Sequence, residues 1–330
     1  FRFPVEKIRE AAKLYLGSVM AGKTGEGLIH VNVMEKLTMN AGLETLKARL
    51  LGALDAGVDG ISLSAGLHAS SFALMSEHPR FRDACLGIVV SSRRALNLFM
   101  RKAARTERLP DYVVVEGPLA GGHLGFGMDW ANFSLADIVR DVKGWMHENG
   151  LRIPVIAAGG VFTGTDGVRM MTEAGADGIQ AATRFAVTKE SGLPEAVKQR
   201  YFDAKAEDIE VNGISPTGYP MRMLKSSPAI NASLKPQCAA YGYMLDRGEC
   251  AYLKAWREAQ AENRTEDGIA EKTCLCAQMR NARVWTLGAN GARLGAAAAK
   301  DASGAWVLPT TGEVFDDYRF GVADEVHARR

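Results

Sequence analysis

The sequence predicts an α/β fold built on a parallel sheet, and within that class a closed (β/α)8 TIM barrel followed by a smaller, mainly helical C-terminal domain. Three observations carry this reading. Short runs that are apolar throughout recur along the first 190 residues, the pattern of strands covered on both faces. Helix-length amphipathic stretches separate them, so that each strand opens a βα unit. Small and polar residues then cluster after strand upon strand, at Asn32, Ser64–Gly66, Ser91–Ser92, Gly121–His123, Gly159–Gly160 and Ala182–Thr183. A barrel collects ligand contacts from many strand ends in this way, whereas an open dinucleotide-binding sheet needs a G-x-G-x-x-G after an early strand, and none is present.

In chain order, Val5, Ile8, Ala12 and Tyr15/Leu16 recur at helical spacing, and Gly17 is expected to end that helix. Strands are expected at 28–33, 60–63, 86–90, 112–115, 154–157 and 178–181, with helices at 42–56, 93–105, 134–149 and 165–175. The sum is six βα units. Arg93 and Arg94 read as a solvated helix start. Past Thr188 the character changes: LPEAVKQRYFDA is helical, loops fall around 212–220 and 226–236, and Tyr252–Asn263 reads as a helix. Residues 1–190 are therefore assigned to the barrel and 191–330 to a cap over the substrate, its least patterned parts being Gly295–Ala299 and the tail after Asp301.

Composition narrows the function classes. Forty basic residues against 38 acidic ones give a net charge of +2, too even a balance for a phosphate-tracking nucleic-acid surface. No apolar run is long enough to span a bilayer and no leader pattern opens the chain, so a soluble cytoplasmic protein is expected, with its oligomeric state left open.

The candidate site follows from the strand ends. In PDYVVVEGPLAGGH, residues 110–123, a buried strand turns through Gly121 and Gly122 onto a single histidine. His123 titrates near neutrality and is the candidate proton acceptor or oxyanion partner. Of the other five histidines only His68, after SAGL at another strand end, competes. The loops after the last two strands, Ala157-Ala158-Gly159-Gly160 and Ala181-Ala182-Thr183, occupy the places where barrels hold a phosphate. Asn32 ends the first visible strand, and its amide suits either a cofactor contact or a turn. Glu116 can order the site or pair with a neighbouring cation. Cys238, Cys250, Cys274 and Cys276 form C-x11-C-x23-C-x-C. This is not zinc-ribbon or ferredoxin spacing, so reduced thiols are weighed against a metal site and preferred. Cys85 is read as packing.

EGPLAGGHLGF, then IPVIAAGGVFTG, then GADGIQAATRF, with SPTGYPMRML at 215–224, resemble the FMN-dependent nitronate monooxygenases, formerly called 2-nitropropane dioxygenases, and the related flavin-dependent enoyl-acyl-carrier-protein reductases. The resemblance covers roughly residues 1 to 230, its motifs standing in the family's order. It implies FMN as the cofactor, with Ala158, Gly159, Gly160, Ala182 and Thr183 at its phosphate, Gly121 and Gly122 beneath its ring, Asn32 at its edge and His123 at the reacting atoms. It further implies an oxidoreductase acting on a small-molecule substrate: a nitronate oxidised with O2, or a quinone or enoyl thioester reduced by NAD(P)H through FMN. A third possibility is an inactive flavin-binding scaffold subunit. One departure stands out. The family begins with two further βα units, so the six strands here correspond to its third to eighth, and an N-terminally truncated chain is expected.

Overall fold

A computed structural model describes residues 5–35, 42–215, 218–230, 261–262 and 282–320. The chain forms two compact units, residues 1–113 with 233–280 and residues 114–232 with 281–330.

In the first unit, β1 (His30–Met34), β2 (Gly60–Ser64) and β3 (Cys85–Val90) run parallel, each beside the next strand in the chain. Helices α1 (Val5–Ala21), α2 (Gly42–Asp55), α3 (Ser71–Met75) and α4 (Arg93–Ala103) alternate with them. The apolar runs go inward as their composition requires: Leu46, Leu50, Leu54, Ile61, Leu63 and Leu86 are all fully buried. Helix α4 starts at Ser92, whose hydroxyl accepts from the Ala95 N–H, leaving Arg93 and Arg94 in the first turn as expected.

Helix α1 does not stop at Gly17 but runs to Ala21. A glycine inside a helix costs only about 1 kcal/mol, and packing supplies more than that. At Gly52 of α2 a side chain would meet the Arg9 carbonyl at 2.5 Å and the Ala12 Cβ at 2.8 Å, so the two helices touch backbone to backbone. The Arg9 guanidinium also pairs with Asp55 at 2.6 Å and holds that carboxyl down to about 2.

Strand β4 (Tyr112–Glu116) carries the chain from the first unit into the second. Just before it, the Asp111 N–H donates to Leu86 O at 2.7 Å; just after it, the Gly117 N–H donates to Ala158 O at 2.8 Å. In the second unit β6 (Val155–Ala158) and β7 (Gly178–Gln180) are parallel neighbours with Ala158 opposite Gln180. They are accompanied by α5 (Leu135–Glu148), α6 (Gly164–Glu173) and the short α7 (Thr183–Ala186). Thr163 and Asp166 close a capping box at the start of α6, fixing where the strand-to-helix loop ends.

The sequence reading did not include a second, antiparallel sheet. Strand β5 (Gly122–His123) pairs with β9 (Met221–Leu224), which pairs with β8 (Ile209–Asn212). The residues read as a loop around 212–220 are the connection between β8 and β9. Helix α8 (Glu195–Asp203) precedes β8 and α9 (Thr311–Phe320) follows β9 in the chain. Beneath it lies a core of Phe162, Tyr201, Phe202, Leu224, Leu287 and Leu294. The four cysteines from Cys238 to Cys276, and the helix expected at 252–263 apart from residues 261–262, fall outside the described residues.

Candidate active site

His123 sits where β4 has ended and the chain has turned through glycine into β5. Gly122 has φ +75°, a conformation glycine adopts without strain. Pairing with β9 then sets the histidine opposite Met221 and Gly122 opposite Arg222. The ring is half-buried, and its Nε2 lies 2.8 Å from the Ser215 hydroxyl. Burial lowers the imidazole pKa below its ordinary value, so the ring is neutral at physiological pH and keeps a lone pair to accept a proton.

Arg222 fixes the loop that delivers this histidine. Its side chain is almost fully buried, and Nη1 donates to Pro118 O at 2.5 Å and Ala120 O at 2.8 Å. The guanidinium lies 4.3 Å from the centre of the Trp130 ring, and burial lowers its pKa to about 10. Among the described residues its buried Nη2 has no hydrogen-bond partner. Sequence reasoning missed this residue, although SPTGYPMRML contains it; a lone arginine in an apolar strand was the available signal.

Glu116, the last residue of β4, accepts a hydrogen bond from the Gly125 N–H, and burial raises its carboxyl to about 7. No cation holds it down, so the pairing considered from sequence does not occur among the described residues. It titrates near neutrality five residues before Gly121, where the chain turns towards His123.

The predicted phosphate loops come together with the histidine loop. Gly159 has φ +82° and a side chain there would strike Ala120 at 2.9 Å; Gly160 has φ +113° and faces Leu119. Thr183 follows on the neighbouring strand end as the first residue of α7. A further segment, absent from the sequence reading, runs along these loops. The Ala289 N–H donates to Leu119 O at 3.0 Å, and Asn290 Nδ2 donates to Gly160 O at 2.6 Å. A side chain at Gly288 would approach Thr183 Oγ1 to 3.0 Å. The same segment accounts for Gly121: a Cβ there would lie 2.5 Å from Gly288 N, so the glycine makes room for the chain's own backbone, not only for a planar ligand.

In the first unit, Asn32 Oδ1 accepts from the Ser64 hydroxyl at 2.6 Å, pinning the ends of β1 and β2 together. His68 is fully enclosed. Its Nε2 lies 2.7 Å from Ser64 O and its Nδ1 lies 2.8 Å from the Ser71 hydroxyl. With both nitrogens bonded in a neutral ring, and with burial lowering its pKa, it holds a turn in place. A cavity of about 300 Å³ lined by Arg184, Val187, Phe202, Leu308 and Pro309 contains none of the predicted site residues. No group of side chains among the described residues is arranged to hold a metal ion, and no described helix is long and apolar enough to cross a membrane.

The family profile described as nitronate monooxygenase matches residues 28–281, well over half of the chain. The chain belongs to the nitronate monooxygenase family. Among curated relatives, a (3aS,4S,5R,7aS)-5-hydroxy-7a-methyl-1-oxo-octahydro-1H-indene-4-carboxyl-CoA dehydrogenase of Mycobacterium tuberculosis is 35% identical over 164 residues, 49% of this chain and 42% of that protein. A probable nitronate monooxygenase of Staphylococcus haemolyticus is 35% identical over 109 residues, 32% of this chain and 29% of that one. The chain thus spans less than half the length of these curated relatives. Solved structures extend the likeness across the whole chain at the level of fold. FabK from Thermotoga maritima aligns with TM-score 0.61 at 17% identity, covering 99% of this chain and 90% of its own. Nitroalkane oxidase from Streptomyces ansochromogenes aligns with TM-score 0.58 at 17% identity, covering 98% and 94%. The family member described here therefore has the α/β, TIM-barrel-like fold that its sequence predicted.

Proposed function

We propose that this chain is an FMN-dependent oxidoreductase that oxidises alkyl nitronates with O2, with His123 as its catalytic residue. The observation that carries the proposal is one neutral, half-buried imidazole on a strand pinned by Arg222, at the end of a loop whose Leu119 and Ala120 pack on two glycines of positive φ. The family match and the two relatives named as a nitronate monooxygenase and a nitroalkane oxidase support the substrate class.

The residues present suit a flavin phosphate. The positive φ of Gly159 and Gly160 suits close approach of an anion to the backbone, and Thr183 adds a hydroxyl. Ala158, Gly159, Gly160, Ala182 and Thr183 would hold the phosphate, and Gly121 and Gly122 would border the ring. Bound FMN supplies two-electron acceptance and reactivity with O2. The protein's own part is acid-base and electrostatic. Neutral His123 accepts the proton α to a nitro group when the substrate arrives as a nitroalkane, and the resulting imidazolium sits against the anionic nitronate oxygens. Ser215, bonded to Nε2, fixes the ring plane for both roles.

A second reading has support of its own. The dehydrogenase relative acts on a CoA thioester by its name, and an enoyl reductase domain of MlnA from Bacillus amyloliquefaciens aligns with TM-score 0.62. In that reading NAD(P)H is the reductant and an enoyl thioester or quinone the acceptor. The two are separated by anaerobic reduction of the purified flavoprotein. Bleaching of the flavin band by an alkyl nitronate supports the first reading; bleaching by NADH or NADPH alone overturns it in favour of the second. Protein that carries flavin but is bleached by neither is the scaffold subunit considered from sequence.

A further inference from the structure

We propose that residues Thr286–Asn290 form a clasp over the phosphate-facing loops, and that this clasp makes the site select a flavin bearing a 5′-phosphate over one without it. The inference rests on the flavin reading above. It concerns a segment beyond residue 281, where the match to the family profile ends.

The clasp is anchored independently of any ligand. The Leu224 N–H donates to Trp285 O at 3.0 Å, and the Tyr201 hydroxyl donates to Thr286 O at 2.9 Å. Leu287 and Leu294 are both buried in the core with Tyr201, Phe202 and Phe162, so leaving their places would expose apolar surface to water. Arg293 pairs with Asp166 at 3.0 Å and lies 4.5 Å from the centre of the Phe162 ring, fastening the far end to the start of α6. The backbone between these anchors is therefore held where it meets the loops.

There it takes up two carbonyl oxygens. Asn290 Nδ2 binds Gly160 O at 2.6 Å, and the Ala289 N–H binds Leu119 O at 3.0 Å. A phosphate is repelled by carbonyl oxygens and attracted by N–H groups. The C=O and N–H of a planar trans peptide point in opposite directions, so tethering Gly160 O fixes the direction of the Val161 N–H. Glycine's backbone is permissive, so a tether on the Gly160 carbonyl is the hold that keeps that peptide in one orientation. Asn290 provides it. Gly288 completes the arrangement: lacking a side chain, its backbone fits beside Thr183 Oγ1 and Leu119 O, which a Cβ would approach to 3.0 Å and 3.2 Å.

The ring and ribityl chain are shared by FMN and riboflavin, so the clasp acts on their ratio. Dissociation constants for both are measured by fluorescence titration on the full chain and on Asn290→Ala, Asn290→Gln and Gly288→Ala. Asn290→Ala and Gly288→Ala are expected to weaken FMN tenfold or more while changing riboflavin by less than about twofold, a tenfold loss being about 1.4 kcal/mol. Asn290→Gln is expected to restore part of the preference. In parallel, hydrogen exchange of flavin-free protein is expected to show faster exchange at residues 159–161 in Asn290→Ala. Equal loss of both flavins, or no loss of either, overturns the selectivity. A wild-type chain that takes up neither flavin overturns the flavin reading itself; the exchange arm then decides the clasp alone, and unchanged exchange at 159–161 overturns it.

Discussion

Two strand ends of this molecule carry a histidine after a run of small residues, and they differ in what the chain does with it. After β2 the sequence SAGLH turns back on itself. His68 takes up a backbone carbonyl and a serine hydroxyl and is sealed from solvent. After β4 the sequence AGGH runs into a two-residue strand, and His123 stays half-exposed, its Nε2 on the Ser215 hydroxyl. Glycines before a histidine therefore do not mark a reactive site by themselves. What separates the two is a second sheet, which holds His123 by its backbone and leaves ring capacity for a substrate, where His68 spends both nitrogens on the fold.

The largest expected effect separates them by substitution. His123→Ala should lower kcat/KM roughly 10²- to 10⁴-fold, the usual worth of a general base, with melting temperature nearly unchanged. His68→Ala should do the reverse. It removes two buried hydrogen bonds and ring volume, costing about 2–4 kcal/mol in urea unfolding, while activity per folded molecule changes little. If His68→Ala lost activity at full stability, the contrast would fail.

Arg222→Met tests whether the second sheet depends on its buried cation. The variant leaves Pro118 O and Ala120 O without their donor, each loss costing roughly 1–3 kcal/mol, so chemical denaturation should show a drop of about 2–6 kcal/mol. Stability equal to the parent would mean that the loop holds without the clamp.

Glu116 sharpens the comparison through pH. Its carboxyl is raised from 4.5 to about 7 by burial, so the folded state binds a proton that the unfolded state has released between those values. Stability from the neutral acid is fully present below about 4.5 and is lost as pH rises through about 7. By the linkage relation the loss approaches roughly 3 kcal/mol. Glu116→Gln, neutral throughout, should therefore be stabilised relative to the parent at pH 8 and nearly equal to it at pH 4.5. Equal melting temperatures at pH 8 would show that the carboxyl is not desolvated.

The parallel strands and their helices were legible because each is long enough to show a period and apolar enough to be buried; boundaries moved by one or two residues. Helix α1 overran Gly17 because its contact with α2 at Gly52 is invisible in local sequence. The second sheet was hidden for a simpler reason. Strands β5, β8 and β9 have two to four residues each, too few to display alternation, and β5 meets β9 across about a hundred residues of chain. His123 and the loops at 157–160 and 181–183 stood out as candidates because glycines and a histidine at strand ends are rare and local signals. Residues 286–290 were not, since nothing in TLGAN signals that it meets Gly160 and Thr183; only the tertiary fold supplies that meeting. Gly121 is the instructive middle case: its need for glycine was legible, while the backbone that imposes it was not.

The central claim is that His123 accepts the substrate proton, and the pH dependence of kcat/KM for a neutral nitroalkane beside that for its preformed nitronate tests it most directly. In the parent, nitroalkane turnover should rise with pH through an apparent pKa below the ordinary histidine value, since burial favours the neutral ring. In His123→Ala that acid limb should vanish, with the nitroalkane rate down roughly 10²- to 10⁴-fold and the nitronate rate reduced far less. An acid limb that persists in the variant, or nitroalkane turnover within about twofold of the parent, a difference of only some tenths of a kcal/mol, would contradict the assignment.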